Sequence, residues 1–230
     1  MKTPTEDLKS EGMARRRFLR YAGTGAVMAG VFAIASCSND NSKSNIYNDH
    51  IDLGSGDIAI LNYAYALEQL EAAFYTRVAA TPYASQSNAE KALLTDIRDH
   101  EVAHRELFKT ALAGNAIPDF IADFSSINFS DRTSVLSAAK AFEDLGVSAY
   151  NGAAYLIKNT DYLTLAGKIV SVEARHASLI HNLIVSGSFA DNTVVNTNGL
   201  DSSKTPLEVV PVINTFISGK KILAPSLGIY

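Results

Sequence analysis

The sequence predicts an all-α protein: a four-helix bundle made of two antiparallel hairpins joined by a long crossover, followed by a short C-terminal helical segment. Residues 57–186 contain four long segments in which apolar residues recur at helical spacing. The connections between these segments are short, long and short, and an up-down-up-down bundle does not need the long one. With 230 residues, 47% of them hydrophobic, the chain can fill one sizeable core.

Capping and helix-breaking residues set the bounds of the predicted helices. The first stops before Pro82, which disfavours helical geometry in the residue ahead of it. Ser87-x-x-Glu90 fits a capping box at the start of the second. Residues 114–131 lack helical periodicity and form the crossover. The four helices are predicted over residues 57–80, 87–114, 133–158 and 162–186, and the tail of residues 187–230 is predicted as a loop and a short helix opening at Thr205-Pro206.

Residues 1–36 are predicted to be an export signal. Arg15-Arg16-x-Phe18-Leu19-Arg20 resembles a twin-arginine motif, and the apolar run that follows is short and rich in Gly and Ala. Ile34-Ala35-Ser36-Cys37 resembles a lipobox, which makes Cys37 the predicted lipidation site. An N-terminal anchor helix that is never cleaved is the alternative. We therefore expect an exported protein of the periplasm or cell envelope, anchored to a membrane by lipid.

The segment of residues 37–56 is predicted to be a flexible tether, because it is rich in Ser, Asn and Asp. Without residues 1–36 the chain has 14 Lys and Arg against 21 Asp and Glu, a formal charge of −7, so no nucleic-acid partner is expected. A single cysteine excludes a disulfide framework within the chain and a multi-cysteine metal site. Any metal must be held by His, Asp and Glu.

Polar residues interrupt the apolar seam of each predicted helix in a repeated way. The seams of the second and fourth helices carry Glu-x-x-His, which places Glu101 beside His104 and Glu173 beside His176, each pair on one face. The first and third helices each place a seam glutamate seven residues before a seam tyrosine. These pairs are Glu68 with Tyr75 and Glu143 with Tyr150. The two hairpins therefore look like copies of each other.

Four glutamates and two histidines aimed into one apolar core predict a metal site. An unpaired buried carboxylate costs several kcal/mol and prefers to take a proton, whereas two divalent cations neutralise four carboxylates. One Glu from each of two helices and Glu-x-x-His from each of the others is the ligand pattern of di-iron and di-manganese carboxylate proteins. Glu71 shares the seam with Glu68, but Gly146 is its counterpart in the repeat, so Glu68 is favoured as the ligand.

Residues 57–186 resemble the ferritin-like superfamily, in particular bacterial ferritin-like domain proteins related to desiccation-associated proteins. The resemblance lies in "LEQLEAAFY", "FEDLGVSAYNGAA" and "EARHASLI". It implies bridging roles for Glu101 and Glu173, and roles for Tyr75 and Tyr150 as hydrogen-bond donors to the ligand carboxylates. The shared seam, and not the resemblance, gives Glu71 an assisting role beside the ligands. The metal ligands that it implies are Glu68, Glu101, His104, Glu143, Glu173 and His176.

The two ions are expected to be iron or manganese, and two functions remain open. One is an oxidoreductase that uses O2 or peroxide, of ferroxidase, peroxidase or catalase type; the other is a metal-binding stress-protection protein without turnover. A buried tyrosine near the metal could also relay an electron, although packing is its commoner role. His100 and His181 lie off the seam and are expected to be partly exposed. The oligomeric state, including a homo-oligomer, stays open.

Overall fold

A computed structural model describes residues 49–230; the predicted export signal, Cys37 and most of the predicted tether lie outside this part. The all-α prediction is confirmed, since four long helices form a bundle and a fifth follows. The helices are α1 (Gly56–Ala80), α2 (Asn88–Leu112), α3 (Arg132–Ala153), α4 (Thr160–Ile184) and α5 (Pro206–Thr215). The strands are β1 (His50–Asp52), β2 (Ile121–Ala122), β3 (Ile217–Ser218) and β4 (Lys221–Leu223). None of the described helices is both long and apolar enough to cross a membrane.

Helix α1 is the most deeply enclosed element of the bundle. It packs chiefly on α2, as α3 packs on α4, which gives the two expected hairpins. Almost every residue of α1 from Ala59 to Tyr75 is buried, including polar ones. A helix that is buried all round needs cover on the side facing away from its partner. The crossover and the C-terminal segment supply that cover.

Two buried amides hold the crossover against α1. The Asn62 side chain donates to the carbonyl of Asn115 and accepts from the backbone N–H of Ile117, both at 2.9 Å. About two helical turns after Asn62, the Gln69 side-chain oxygen accepts from the N–H of Phe120 at 3.1 Å. Strand β2 of the crossover then pairs antiparallel with β3. The long connection is therefore an ordered part of the fold.

The predicted tether ends earlier than residue 56. Residues 50–52 form β1, which pairs in parallel with β4 near the C-terminus. The N–H of Leu53 extends this pairing to the carbonyl of Leu223 at 3.3 Å, and the Leu53 side chain is fully buried. Ile51 and Leu53 point to one side, as strand alternation requires, and bury that side against the core.

Most helix ends lie within two residues of the predicted ones, and two features depart further from the prediction. Ser87 caps α2 by accepting from the N–H of Glu90, but the Glu90 carboxylate pairs with Arg132 at 2.8 Å, so only half of the predicted capping box forms. Helix α3 stops at Ala153 and continues as a short 3-10 turn, five residues before the predicted end at residue 158. Helix α5 opens at Thr205 with a complete capping box.

Candidate metal centre

The six predicted ligands meet at mid-bundle in two overlapping groups. In each group, one possible ligand atom per residue can be chosen so that all lie within 4.8 Å of one another. The His104 position comprises Glu68, Glu101, His104 and Glu173, and the His176 position comprises Glu101, Glu143, Glu173 and His176. Glu101 and Glu173 belong to both groups. Each hairpin thus contributes to both positions.

Each imidazole points across the bundle to the glutamate of the opposite hairpin. His104 on α2 places Nδ1 2.8 Å from Oε1 of Glu173 on α4 and 3.4 Å from Oε2 of Glu68. His176 on α4 places Nδ1 2.8 Å from Oε1 of Glu101 on α2 and 3.7 Å from Oε2 of Glu143. The arrangement follows from the repeat, because equal Glu-x-x-His steps on facing helices bring the two pairs to the same depth.

Two tyrosines bind one oxygen each of Glu68 and Glu143, the two glutamates that belong to a single ligand group. Tyr75 on α1 donates its hydroxyl hydrogen bond to Oε1 of Glu143 at 2.5 Å, and Tyr150 on α3 donates to Oε1 of Glu68. Each tyrosine therefore donates a hydrogen bond to a glutamate of the other hairpin. The second oxygen, Oε2, of each glutamate is left to face the imidazoles.

The atoms that face the centre fit a pair of cations. All four glutamates have less than 1% of their surface exposed, so the cluster is enclosed by protein. Eight buried side-chain atoms that face the centre have no hydrogen-bond partner of acceptable geometry among the described residues, although they lie close together. They are Oε2 of Glu68, both oxygens of Glu101 and Glu173, Oε2 of Glu143, and Nδ1 of His104 and His176. Buried oxygens and nitrogens that converge without bonding one another are what metal coordination requires.

Burial and close contact shift the pKa values of the carboxyl and imidazole groups at the centre. Burial alone would raise the pKa of Glu101, but the neighbouring imidazoles outweigh it and lower that pKa to about 2. Burial would also lower the pKa of both histidines, yet the carboxylates around them raise it to about 12 for His104 and about 10 for His176. Burial first, and nearby carboxylates second, raise the pKa of Glu68 and Glu143 well above the usual range. Metal binding must displace such protons.

Glu71 lies beside the centre and outside both groups. Neither of its oxygens has a hydrogen-bond partner among the described residues, and its side chain is buried. Its room comes from Gly146, since a Cβ there would lie 2.9 Å from the Glu71 Oε1. Burial first, and the charges of Glu101 and Glu173 second, raise its pKa well above the usual range, which favours the neutral acid. The Glu68 carboxylate is the one on α1 that joins the ligand groups.

The two histidines off the seam behave differently from the expectation. His181 is buried, not partly exposed, and its Nε2 contacts the Asp144 carboxylate at 2.9 Å. His100 is exposed, but its Nδ1 lies 2.9 Å from Nε2 of His176. The seam pattern missed this contact, because His100 precedes Glu101 by one residue and belongs to a neighbouring face of α2.

A helical bundle with this cluster defines a class of protein, one whose buried carboxylates and imidazoles are compatible with a di-metal site. The chain belongs to the ferritin-like domain family, which it matches over residues 56–186. None of the curated proteins with which it was compared matches it. The relation to desiccation-associated proteins and the export signal remain predictions.

Proposed function

We propose that this chain is an exported ferritin-like protein whose bundle holds two divalent ions, iron or manganese, in a redox centre that reacts with O2 or peroxide. The observation that carries the proposal is the pair of overlapping ligand groups that share Glu101 and Glu173. Four carboxylates and two neutral imidazoles balance the charge of two divalent cations. Oxygen-rich ligation with imidazole suits iron and manganese better than the metals that thiolates select.

The glutamates and tyrosines around the centre would have different roles in binding the ions. Two redox-active ions held side by side can exchange two electrons with a small oxidant, and this is the chemistry that the metal supplies. Glu101 and Glu173 would hold both ions, while Glu68 and Glu143 would each hold one. Tyr75 and Tyr150 fix the orientation of those two glutamates. Burial first, and the adjacent carboxylate second, raise the pKa of both phenols well above the usual value, so they stay protonated donors.

An apolar cavity borders Tyr150, the tyrosine that donates to Glu68, and its wall suits O2 better than peroxide. The cavity has a volume of about 20 Å³ and its wall includes Leu67, Phe108 and Tyr150. That volume is enough for one water-sized molecule. A wall with almost no polar groups suits an apolar diatomic molecule better than peroxide, which needs hydrogen-bond partners.

The alternative function is metal binding without turnover, as a stress-protection protein of the cell envelope. The enclosure of the centre favours it. The four glutamates are fully buried, and the His176 side chain is only 5% exposed, so a bound ion would be shielded from exchange with solvent. Such a protein would hold metal in fixed stoichiometry and consume neither O2 nor peroxide.

Elemental analysis of the full chain, purified from its native host, tests the proposal. We expect two iron or manganese ions per chain, and on the same sample O2-dependent or peroxide-dependent turnover; metal without turnover favours the alternative function. Glu101→Ala and Glu173→Ala should lose the metal. Glu106→Ala is the matched control, since Glu106 is an exposed glutamate on the same helix as Glu101. Unchanged metal content in both ligand variants would refute both functions.

Export and lipid anchoring form a separate part of the proposal and rest on residues 15–37 of the sequence. Cys37→Ser should move the protein from the membrane fraction to the soluble fraction of the native host. Replacing Arg15 and Arg16 by lysines should retain the chain in the cytoplasm. Fractionation of cells that carry either variant measures both effects.

A further inference from the structure

The two metal positions are not equivalent, although the repeat suggests that they should be. His100 contacts His176, whereas the position that matches His100 in α4 is Val172, which cannot form a hydrogen bond through its side chain. Among the described residues His104 has no imidazole in a matching contact. The side chains also differ in exposure, 12% for His104 and 5% for His176. One half of the centre therefore has an outer partner that the other half lacks.

The contact between His100 and His176 has the geometry of a directed hydrogen bond. Nδ1 of His100 and Nε2 of His176 are 2.9 Å apart, and the two ring planes differ by only 8°. The ring centroids are 5.2 Å apart, which exceeds the N···N distance by about two ring radii. The two nitrogens thus lie on the line between the ring centres, and the rings are joined edge to edge in one plane. A linear N–H···N bond prefers this arrangement.

The positions of the two His176 nitrogens decide which ring donates. Nδ1 of His176 faces Glu101 and the centre, so it is the atom that would bind a metal ion. Nε2 then carries the proton and donates it to Nδ1 of His100, which must accept. His100 therefore holds one ring orientation of His176 and the tautomer that leaves Nδ1 free to bind a metal ion.

We propose that His100 is a positioning residue for the His176 position and that it makes this position bind a divalent ion more tightly than the His104 position. The inference rests on the proposed function, since it concerns the ions that the centre would hold. Outer-shell partners of a ligating histidine change metal affinity by about 10- to 100-fold. The difference between the two positions should therefore be measurable as two binding steps.

Titration with Co²⁺, followed by visible absorption and calorimetry, tests this on the whole chain. We expect two steps in the original protein. His100→Phe, which keeps a ring and removes the acceptor, should weaken the first step by about tenfold or more and bring the steps together. His100→Gln, whose side-chain carbonyl can accept from Nε2 of His176, should recover most of the loss. Because His100 is exposed, both variants should fold, and circular dichroism checks this.

NMR of the Zn²⁺-loaded protein, labelled with ¹⁵N in its histidines, supplies a readout that general destabilisation would not mimic. We expect a slowly exchanging Nε2–H signal for His176 that disappears in His100→Phe and returns in His100→Gln. An equal first step in all three proteins, or equal weakening in both variants, would overturn the inference. A protein that binds no Co²⁺ and no Zn²⁺ would overturn the proposed function itself. Two ions bound with equal affinity would overturn only the inference.

Discussion

At the scale of single residues, a comparison of Glu68 with Glu71 shows how a candidate metal ligand differs from a buried acid that binds no metal position. Glu68 and Glu71 lie on the same face of α1 and both are buried, but only Glu68 belongs to a ligand group. Burial and neighbouring carboxylates raise the pKa of both glutamates, so protonation does not distinguish them. The difference is that Glu68 offers an oxygen to a metal position and Glu71 does not.

The first prediction compares these two neighbours. Glu71→Gln should keep two metal ions per chain and, near pH 4.5, change the free energy of unfolding by less than about 1 kcal/mol. At higher pH it should stabilise the metal-free protein, because the unfolded state no longer gains from ionising this carboxyl group. Glu68→Gln should lower the metal affinity at least tenfold at the His104 position, because an amide is a weaker ligand than a carboxylate. Elemental analysis and Co²⁺ titration of both variants measure the contrast. Loss of metal in Glu71→Gln would show that Glu71 is itself a ligand.

The second prediction concerns the space that Gly146 leaves for Glu71. A Cβ at position 146 would approach Oε1 of Glu71 to 2.9 Å, and the buried Glu71 has little room to move. Overpacking of this kind costs about 1–3 kcal/mol, while alanine in place of glycine inside a helix gains about 1 kcal/mol. Gly146→Ala should therefore be neutral to destabilising alone, and stabilising in a Glu71→Ala background.

A double-mutant cycle by chemical denaturation measures this coupling. The effect of Gly146→Ala should become more favourable by about 1–3 kcal/mol once Glu71 is truncated, because the alanine then fills vacated space. Additive free energies, with no coupling between the two positions, would show that Glu71 is free to move aside.

At the scale of elements, Gly152 on α3 lets the segment before α5 dock closely. The backbone N–H of Lys204 donates to the carbonyl of Ser148 at 2.9 Å, and a Cβ at position 152 would lie 1.8 Å from the Lys204 carbonyl oxygen. Backbone cannot move aside as a side-chain end can. The segment must therefore leave α3 if residue 152 gains a methyl group.

The third prediction is that Gly152→Ala loosens the C-terminal segment. It should lower the free energy of unfolding by about 1–3 kcal/mol or more and speed amide hydrogen exchange in α5. Gly167→Ala is the matched control: Gly167 is an exposed helical glycine of α4 with nothing within 4 Å of its Cβ direction. That change should instead stabilise by up to about 1 kcal/mol. Equal effects of the two changes would rule out the close docking.

Helices with a strong hydrophobic repeat could be predicted from the sequence. Pairings between very short strands that lie far apart in the chain could not. The seam revealed Glu101, His104 and their counterparts because a polar pair breaks an apolar helical repeat at the same step in two helices. Strand β1 pairs with β4 across most of the chain, and three residues carry too little periodicity to indicate it. The His181–Asp144 contact was missed because it joins faces of α3 and α4 outside both seams.

At the scale of the whole molecule, the metal-free centre makes stability depend on pH. The pKa values of Glu68, Glu71 and Glu143 in the folded state are raised above the ordinary 4.5. Just above pH 4.5 these groups therefore bind more protons in the folded state than in the unfolded state. Their contribution to stability is present below about pH 4.5 and is lost as the pH rises. The raised pKa values of His104 and His176 act in the same direction above about pH 6.5.

Among the groups of the centre whose pKa is shifted, Glu101 opposes this trend, and only in acid. Its folded-state pKa is lowered from 4.5 to about 2, so its contribution to stability is lost as the pH falls through that interval. Together these groups place the greatest stability of the metal-free protein in mildly acidic solution. They also make the bound protons compete with metal, because each ligand atom must lose its proton before it coordinates.

The fourth prediction follows from this competition. Between pH 5 and pH 9, the free energy of unfolding of the metal-free protein should fall, while saturating Mn²⁺ should raise stability by an amount that grows with pH. Fewer protons then need to be displaced, so binding tightens and the linked stabilisation increases. Denaturation curves at several pH values, with and without Mn²⁺, measure both trends. Glu71→Gln should flatten the metal-free slope, and a metal-free stability that rises over this interval would contradict the buried, protonated centre.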